Sequence, residues 1–328
     1  MPSLLDLPRE IRDKILSLVI SIPTTPPRDH SVADSRTELY NPSCGGRYVD
    51  RGVKYPTRMN RTETIPTLLV NRQLHDETLS AIDLLPTKHT YILDILLVGG
   101  SSLWPTWISV PALTNLVDTV SAAVRIDHTG KITYRTFEAG DGSPPSITWT
   151  FYRILDRFLR VGPVVNPSAK PEGGIAVKTL ELDIRTPDVP ESRFIPHDKW
   201  RIRRGNIFGK DKNGENINVM PPSMLLPFIE RYIELLMGMR DMRDYTTCHG
   251  GILYERIGTL KLLLDGELRR EWDMAKELKN IRLNDSFSVI PREERPETFR
   301  KWKANAYKLR TELGLPTIPI SDDTKGTA

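Results

Sequence analysis

Four carboxylates stand at or near the ends of hydrophobic, β-rich runs in this 328-residue chain: Asp94, Asp127, Asp183 and Asp265. Carboxylates gathered along one edge of a parallel sheet can hold a metal or divide acid and base roles between them. Asp is also common wherever a strand turns into a loop, and that plainer reading is preferred. Cys248-His249-Gly250-Gly251 is the nearest approach to a Cys/His pair. Neighbours on a strand point to opposite faces, so the two would not converge on one metal or form a dyad. Gly99-Gly100-Ser101-Ser102 follows a strand pattern, as a phosphate loop does. It lacks the lysine and runs into Trp104-Pro105 instead of a helix, which makes it a turn. The run Lys199-Trp200-Arg201-Ile202-Arg203-Arg204, with Lys210 and Lys212 after it, mixes cations with a ring that could stack on a base. Asp198, Asp211 and Glu215 dilute it, so nucleic acid is not an expected partner. Trp104 and Trp107, flanking Pro105, read as core or corner residues and not as a ligand cage. No nucleophile elbow, zinc-binding helix motif, dinucleotide fingerprint or Walker loop occurs, so no catalytic residue, metal or cofactor is expected.

The elements that would position these groups alternate along the chain. Strand-like runs cover 90–98, 119–127, 179–185 and 259–265, and each opens on a threonine. Helical periodicity separates the last three, over 150–161 and 222–240, and a late helix spans 297–313. A hairpin-like run occupies 131–138, loops cover 163–174 and 187–218, and a polar tail follows from 316. Alternation of this kind predicts an α/β fold, with α+β as the alternative: a mixed, partly parallel sheet with crossover helices. The runs are too far apart and too uneven for leucine-rich repeats.

Composition sets outer bounds. Hydrophobic residues make up 39% and charged residues 27%, ordinary values for a globular chain, and the net charge of +4 comes from interspersed residues of both signs. Two cysteines leave no disulfide framework, and no apolar run approaches membrane-spanning length. A cytoplasmic or nuclear protein is the expectation, with the Asn60 and Asn284 sequons as chance matches.

The N-terminus carries more apolar surface than one buried face needs. Asp6 fits an N-cap and Pro8 the first turn of a helix. At about 100° per residue, Leu7, Ile11, Ile15, Leu18 and Val19 share the stripe expected to face the core. Leu16 and Ile20 fall on the far side as a spare pair, to be covered by a loop or by another protein. A second helix is expected over 66–85, with Val70, Leu74, Ala81 and Leu85 inward and Arg72, Gln73 and Glu77 outward.

Leu7-Pro8-Arg9-Glu10-Ile11, followed by Ile15 and Leu16, resembles the opening of an F-box. Leu68-Leu69-Val70-Asn71-Arg72-Gln73 is similar to its later helices, and Tyr91-Ile92-Leu93-Asp94-Ile95 with Trp104-Pro105-Thr106-Trp107 extends the likeness to fungal F-box-like proteins over roughly the first 130 residues. The resemblance implies an F-box-like motif over 1–85; the alternation of elements gives an α/β body over 86–315, and composition a disordered tail over 316–328. The resemblance also implies that Leu7, Pro8, Ile11, Ile15 and Leu16 bind a Skp1-type adaptor while the body holds a target for a cullin–RING ubiquitin ligase. Two features depart from the pattern. A Pro- and Gly-rich insert, 22–65, separates the two helices and could lie over the adaptor surface. Of the paired Glu-x-Arg motifs that define a neighbouring fungal domain, Glu10-Ile11-Arg12 is present, but Gln73-Leu74-His75 stands in place of the second.

Overall fold

The computed structural model describes residues 4–32, 35–40, 50–57, 71–128, 146–163, 174–195, 209–210, 216–217, 219–239, 249–283 and 290–319. Its centre is a six-stranded sheet. In chain order the strands are β1 (Thr90–Val98), β2 (Ser102–Ser109), β3 (Leu116–Ile126), β4 (Ala176–Arg185), β5 (Ile257–Leu264) and β6 (Glu267–Asp273). The spatial order is β6-β5-β4-β3-β1-β2. The four middle strands run parallel, and a hairpin partner closes each side: β2 antiparallel to β1, and β6 antiparallel to β5. This is an α/β fold on a mixed, partly parallel sheet.

Seven α-helices are described: α1 (Arg9–Ile20), α2 (Arg72–Leu84), α3 (Ser146–Val161), α4 (Pro222–Met237), α5 (Gly251–Arg256), α6 (Met274–Asn280) and α7 (Arg295–Glu312). Each parallel step, from β1 to β3 to β4 to β5, moves the same way across the sheet. Crossovers of a single hand then place α3 and α4 on the same face. That face is apolar, with Leu93, Ile95, Val120, Ala122, Leu180, Leu182 and Leu260 turned toward the two helices. The other face is polar. In register across the parallel strands lie Thr90, Thr119, Thr179 and Thr259, then Ile92, Ser121, Glu181 and Lys261. Apart from the exposed Ile92, these residues are half-buried. The initial threonines noted in the sequence therefore stand side by side as one row.

Both edges of the sheet are managed. β6 reads Glu-Leu-Arg-Arg-Glu-Trp-Asp and is exposed along most of its length, a charged edge that discourages further strand pairing. The backbone of β2 is covered by the N-terminal insert: Lys54 N donates to the Leu103 carbonyl, Leu103 N to Gly52 and Thr24 N to Ile108. Leu39, Val53 and Tyr55 of the insert join the main core. The described part of the insert thus extends the body on the β2 side instead of roofing α1. Residues 131–138 and the sequons Asn60 and Asn284 lie outside the described residues. At the C-terminus, Leu315 is buried and the Pro316 carbonyl accepts from Arg310, so the chain stays docked to that point. No described helix is long and apolar enough to cross a membrane.

The short elements obey local chemistry. Gly99 and Gly100 both take positive φ, 60° and 69°, in the tight β1–β2 turn. Asp265 and Gly266 do the same at 53° and 84°, the signature of a two-residue hairpin loop whose twist matches its strands. Asp273 caps α6, accepting from the amides of Ala275 and Lys276. Arg310 of α7 is fully buried and donates to the carbonyls of Tyr254 and Ile257, closing the C-terminal end of α5.

Candidate partner-binding surface

α1 begins differently from the sequence expectation. Pro8 itself occupies the cap position, with no side-chain capping bond, and its carbonyl accepts from Ile11 N and Arg12 N, both at 3.1 Å. No side chain caps the first amides; Arg12 instead fixes the turn that leads into the helix. Its guanidinium donates to the Leu7 and Leu5 carbonyls, tying down the turn that precedes the helix. Its other nitrogens form a two-pronged pair with Glu77 of α2, Nε to Oε2 at 2.8 Å and Nη2 to Oε1 at 2.5 Å. Gln73 Nε2 adds a bond to Oε1 at 3.1 Å. Side chains of both ions are less than a tenth exposed. Hydrogen bonding from Arg12 holds the Glu77 carboxyl down to about 2, and the same bond raises the Arg12 guanidinium.

This ion pair fixes which side of α1 faces inward, and it is the opposite of the expected one. Arg12, Leu16 and Ile20, at i, i+4 and i+8, are the buried residues. Leu16 and Ile20 form a small cluster with Ala81 and Ile82 of α2, packed by Leu85 and Ala112. The stripe predicted to be core is turned outward: Ile11 is 47% exposed and Leu18 62%, Pro8 is exposed, and Leu7, Ile15 and Val19 are half-buried. Ile22, just past the helix end, continues the line and is exposed. Counting apolar residues could not foresee this, because hydropathy scores Arg12 and Glu77 as surface residues. Glu77, expected to point away from the core, is buried for the same reason. Among the five adaptor-contact candidates, Leu16 is therefore withdrawn into the α1–α2 interface at 1% exposure. Leu7, Pro8, Ile11 and Ile15 remain accessible to differing degrees, and Leu18 joins them. Asn71 caps α2 by accepting from Leu74 N at 2.8 Å. Residues 66–70, expected to open that helix, lie outside the described residues. The α2 surface adds the exposed Leu79 and Leu84.

The chemical candidates do not converge. The Asp94 carboxylate takes both Arg125 bonds, at 2.5 and 2.8 Å, and Arg125 in turn donates to the Pro27 and Arg28 carbonyls. Asp127 is buried beneath His30, whose Nδ1 lies 2.5 Å from Oδ2. Asp183 pairs with Arg185 at 2.6 Å and accepts from Gly266 N. Asp265 pins Thr186 through its amide and hydroxyl at 2.7 and 2.6 Å. In the sheet register Asp94 and Asp183 are separated by all of β3, with Ala123 between them. Each carboxylate ties a strand end or an N-terminal strap to the sheet. Among the described residues no group of His, Cys, Asp and Glu is arranged to hold a metal.

His249 precedes a helix, not a strand, and is wedged edge-on between Trp149 and Tyr152, 5.0 Å from each. Cys248, the 199–204 run and Lys212 lie outside the described residues. So do the side chain of Lys210 and the acidic residues Asp198, Asp211 and Glu215. Trp107 is packed against Phe158 at 5.0 Å in the core, while Trp104 lies under Arg36 and Lys54 at 5.4 and 5.6 Å. Comparison with known proteins returns no matching family model, no matching curated protein and no matching solved structure.

Proposed function

We propose that this chain is a binding protein without catalytic activity: an F-box-like substrate-recognition subunit of a Skp1–cullin–RING ubiquitin ligase, working in the cytoplasm or nucleus. One observation carries the reading. α1 is apolar on two opposite sides; one is used by α2, and the other leaves Ile11 and Leu18 exposed and Ile15 half-buried. A Skp1-type adaptor docked there would use these three as anchors, with Leu7 and Pro8 at the rim. Stable interfaces bury about 1,600 Å² in total and depend on a few central apolar anchors, so the adaptor would also reach α2 around Leu79 and Leu84. The body would hold the protein targeted for ubiquitin transfer.

A second reading is favoured by the Arg12–Glu77 pair and by Leu16. Arg12 and Leu16 of the motif segment serve to pack α1 on α2, which makes that segment a core element of an interaction protein that binds no adaptor. One experiment separates the two. The Ile11→Asp, Ile15→Asp double variant leaves the buried stripe intact, so it is expected to fold while losing Skp1 in a pull-down. Skp1 capture by the folded double variant at the wild-type level would leave the packing reading in place.

A further inference from the structure

α7 turns Trp302, Ala306 and Arg310 inward, at i, i+4 and i+8. Arg310 is fully enclosed, and the acceptors it reaches are neutral. Its Nε donates to the Pro316 carbonyl at 2.9 Å, and its Nη1 to the Ile257 and Tyr254 carbonyls at 2.7 and 2.5 Å. Asp273, the carboxylate whose field reaches it, is engaged elsewhere. That side chain accepts from the Ala275 and Lys276 amides and lies 3.3 Å from Lys276 Nζ. Burial outweighs the field of Asp273 and lowers the guanidinium to about 10. Nη2 is buried and, among the described residues, donates to no acceptor.

A second donor in the same condition stands beside it. Tyr307 precedes Arg310 by three positions on α7, a spacing that makes side chains neighbours on a helix surface. Its hydroxyl oxygen is buried and, among the described residues, has no hydrogen-bond partner. Burial raises the phenol and the Arg310 charge opposes that rise, so the two groups act on each other. Native interiors pair nearly all their buried polar groups, and a buried charge with neutral partners alone is costly. A water between the two donors would accept both bonds and leave the charge unbalanced. An anion accepts both bonds and balances it. Full enclosure of Arg310 favours a monatomic anion over a bulky oxyanion such as phosphate. We propose that Arg310 Nη2 and the Tyr307 hydroxyl form an internal binding site for a halide ion, with chloride as the natural occupant. Every residue of this site lies outside α1 and α2, so the inference is independent of adaptor docking.

The test follows the thermal midpoint of the whole chain as sodium chloride replaces sodium gluconate at constant ionic strength, so that screening does not change. An ion that binds the folded state alone raises the midpoint as its site fills, and a rise with chloride, repeated with bromide, is expected. Tyr307→Phe keeps the ring and removes the hydroxyl. Its midpoint in gluconate should match or exceed that of the wild type, and its half-saturating chloride concentration should rise by about tenfold or more, as loss of a hydrogen bond to a charged partner requires. Arg310→Met should abolish the response; if it does not fold, Tyr307→Phe carries the comparison. In crystals of the wild-type chain soaked in bromide, an anomalous peak in contact with both Arg310 Nη2 and the Tyr307 hydroxyl is expected. A midpoint indifferent to chloride, an unchanged chloride response in Tyr307→Phe, or crystals with no bromide at these two donors overturns the proposal and leaves the pair to water.

Discussion

Leu16 and Leu18 are the same residue type two positions apart on one helix, and the structure assigns them opposite fates. Replacing each singly by Ala removes three carbons. At about 0.8 kcal/mol per buried carbon, Leu16→Ala forfeits about 2.4 kcal/mol of transfer free energy, and the void left behind brings the loss to about 2.5–3.5 kcal/mol. The lower end is favoured because the cluster around Leu16 is small and can collapse. Leu18 is 62% exposed, so the same truncation costs about 1 kcal/mol or less. Urea denaturation gives the two values directly. Native-state hydrogen exchange is the sharper assay, because the α1–α2 cluster is separate from the main core and can open without unfolding the sheet. Amides of α1 and α2 should lose protection together in Leu16→Ala and keep it in Leu18→Ala. A larger loss from Leu18→Ala would restore the stripe that hydropathy favours and refute the Arg12–Glu77 argument for helix orientation.

Three further outcomes follow from particular contacts. Arg12 holds Glu77 down to about 2 against an ordinary 4.5, so the pair's contribution is complete above about pH 4.5 and is lost as pH falls toward 2; Glu77→Gln should flatten that part of a stability–pH profile measured by denaturation. Gly266 has φ of 84° in the β5–β6 turn, so Gly266→Ala should destabilise by about 1 kcal/mol in urea titrations even though a methyl group meets no close neighbour. Arg310→Met leaves the Tyr254 and Ile257 carbonyls without their buried donor and should cost about 2–4 kcal/mol by calorimetry; Arg310→Lys should recover only part, because one ammonium can replace Nη1 at those two carbonyls but cannot also hold the Pro316 carbonyl that Nε takes.

Much of the sheet was legible because its parallel strands are buried on one face and β-branched at their starts. All four runs with initial threonines became β1, β3, β4 and β5, and the periodic stretches at 150–161 and 222–240 became α3 and α4 with ends shifted by a few residues. What escaped was structure whose logic is not hydrophobic. β6 is an exposed charged edge strand with almost no apolar pattern, although Asp265-Gly266 is a strong local signal for the hairpin that creates it. α5 opens on Gly251 directly after Gly250, so propensity argues against a helix; packing against Trp302 and capping by Arg310 hold it in place. Hydropathy turns α1 the wrong way round because a buried ion pair such as Arg12–Glu77 counts as surface on any such scale. The placement of α3 and α4 on one face of the sheet, and with it the polar face opposite, depends on strand order, which no local pattern encodes.

The proposed docking face is the outward stripe of α1. Isothermal titration calorimetry of the wild-type chain against purified Skp1 tests it most directly, alongside Leu18→Asp and, as a surface control on the sheet, Ile92→Asp. Saturable one-to-one binding is expected for the wild type and for Ile92→Asp, and no binding heat for Leu18→Asp. Absence of binding by the wild type, or equal binding by Leu18→Asp, would contradict it.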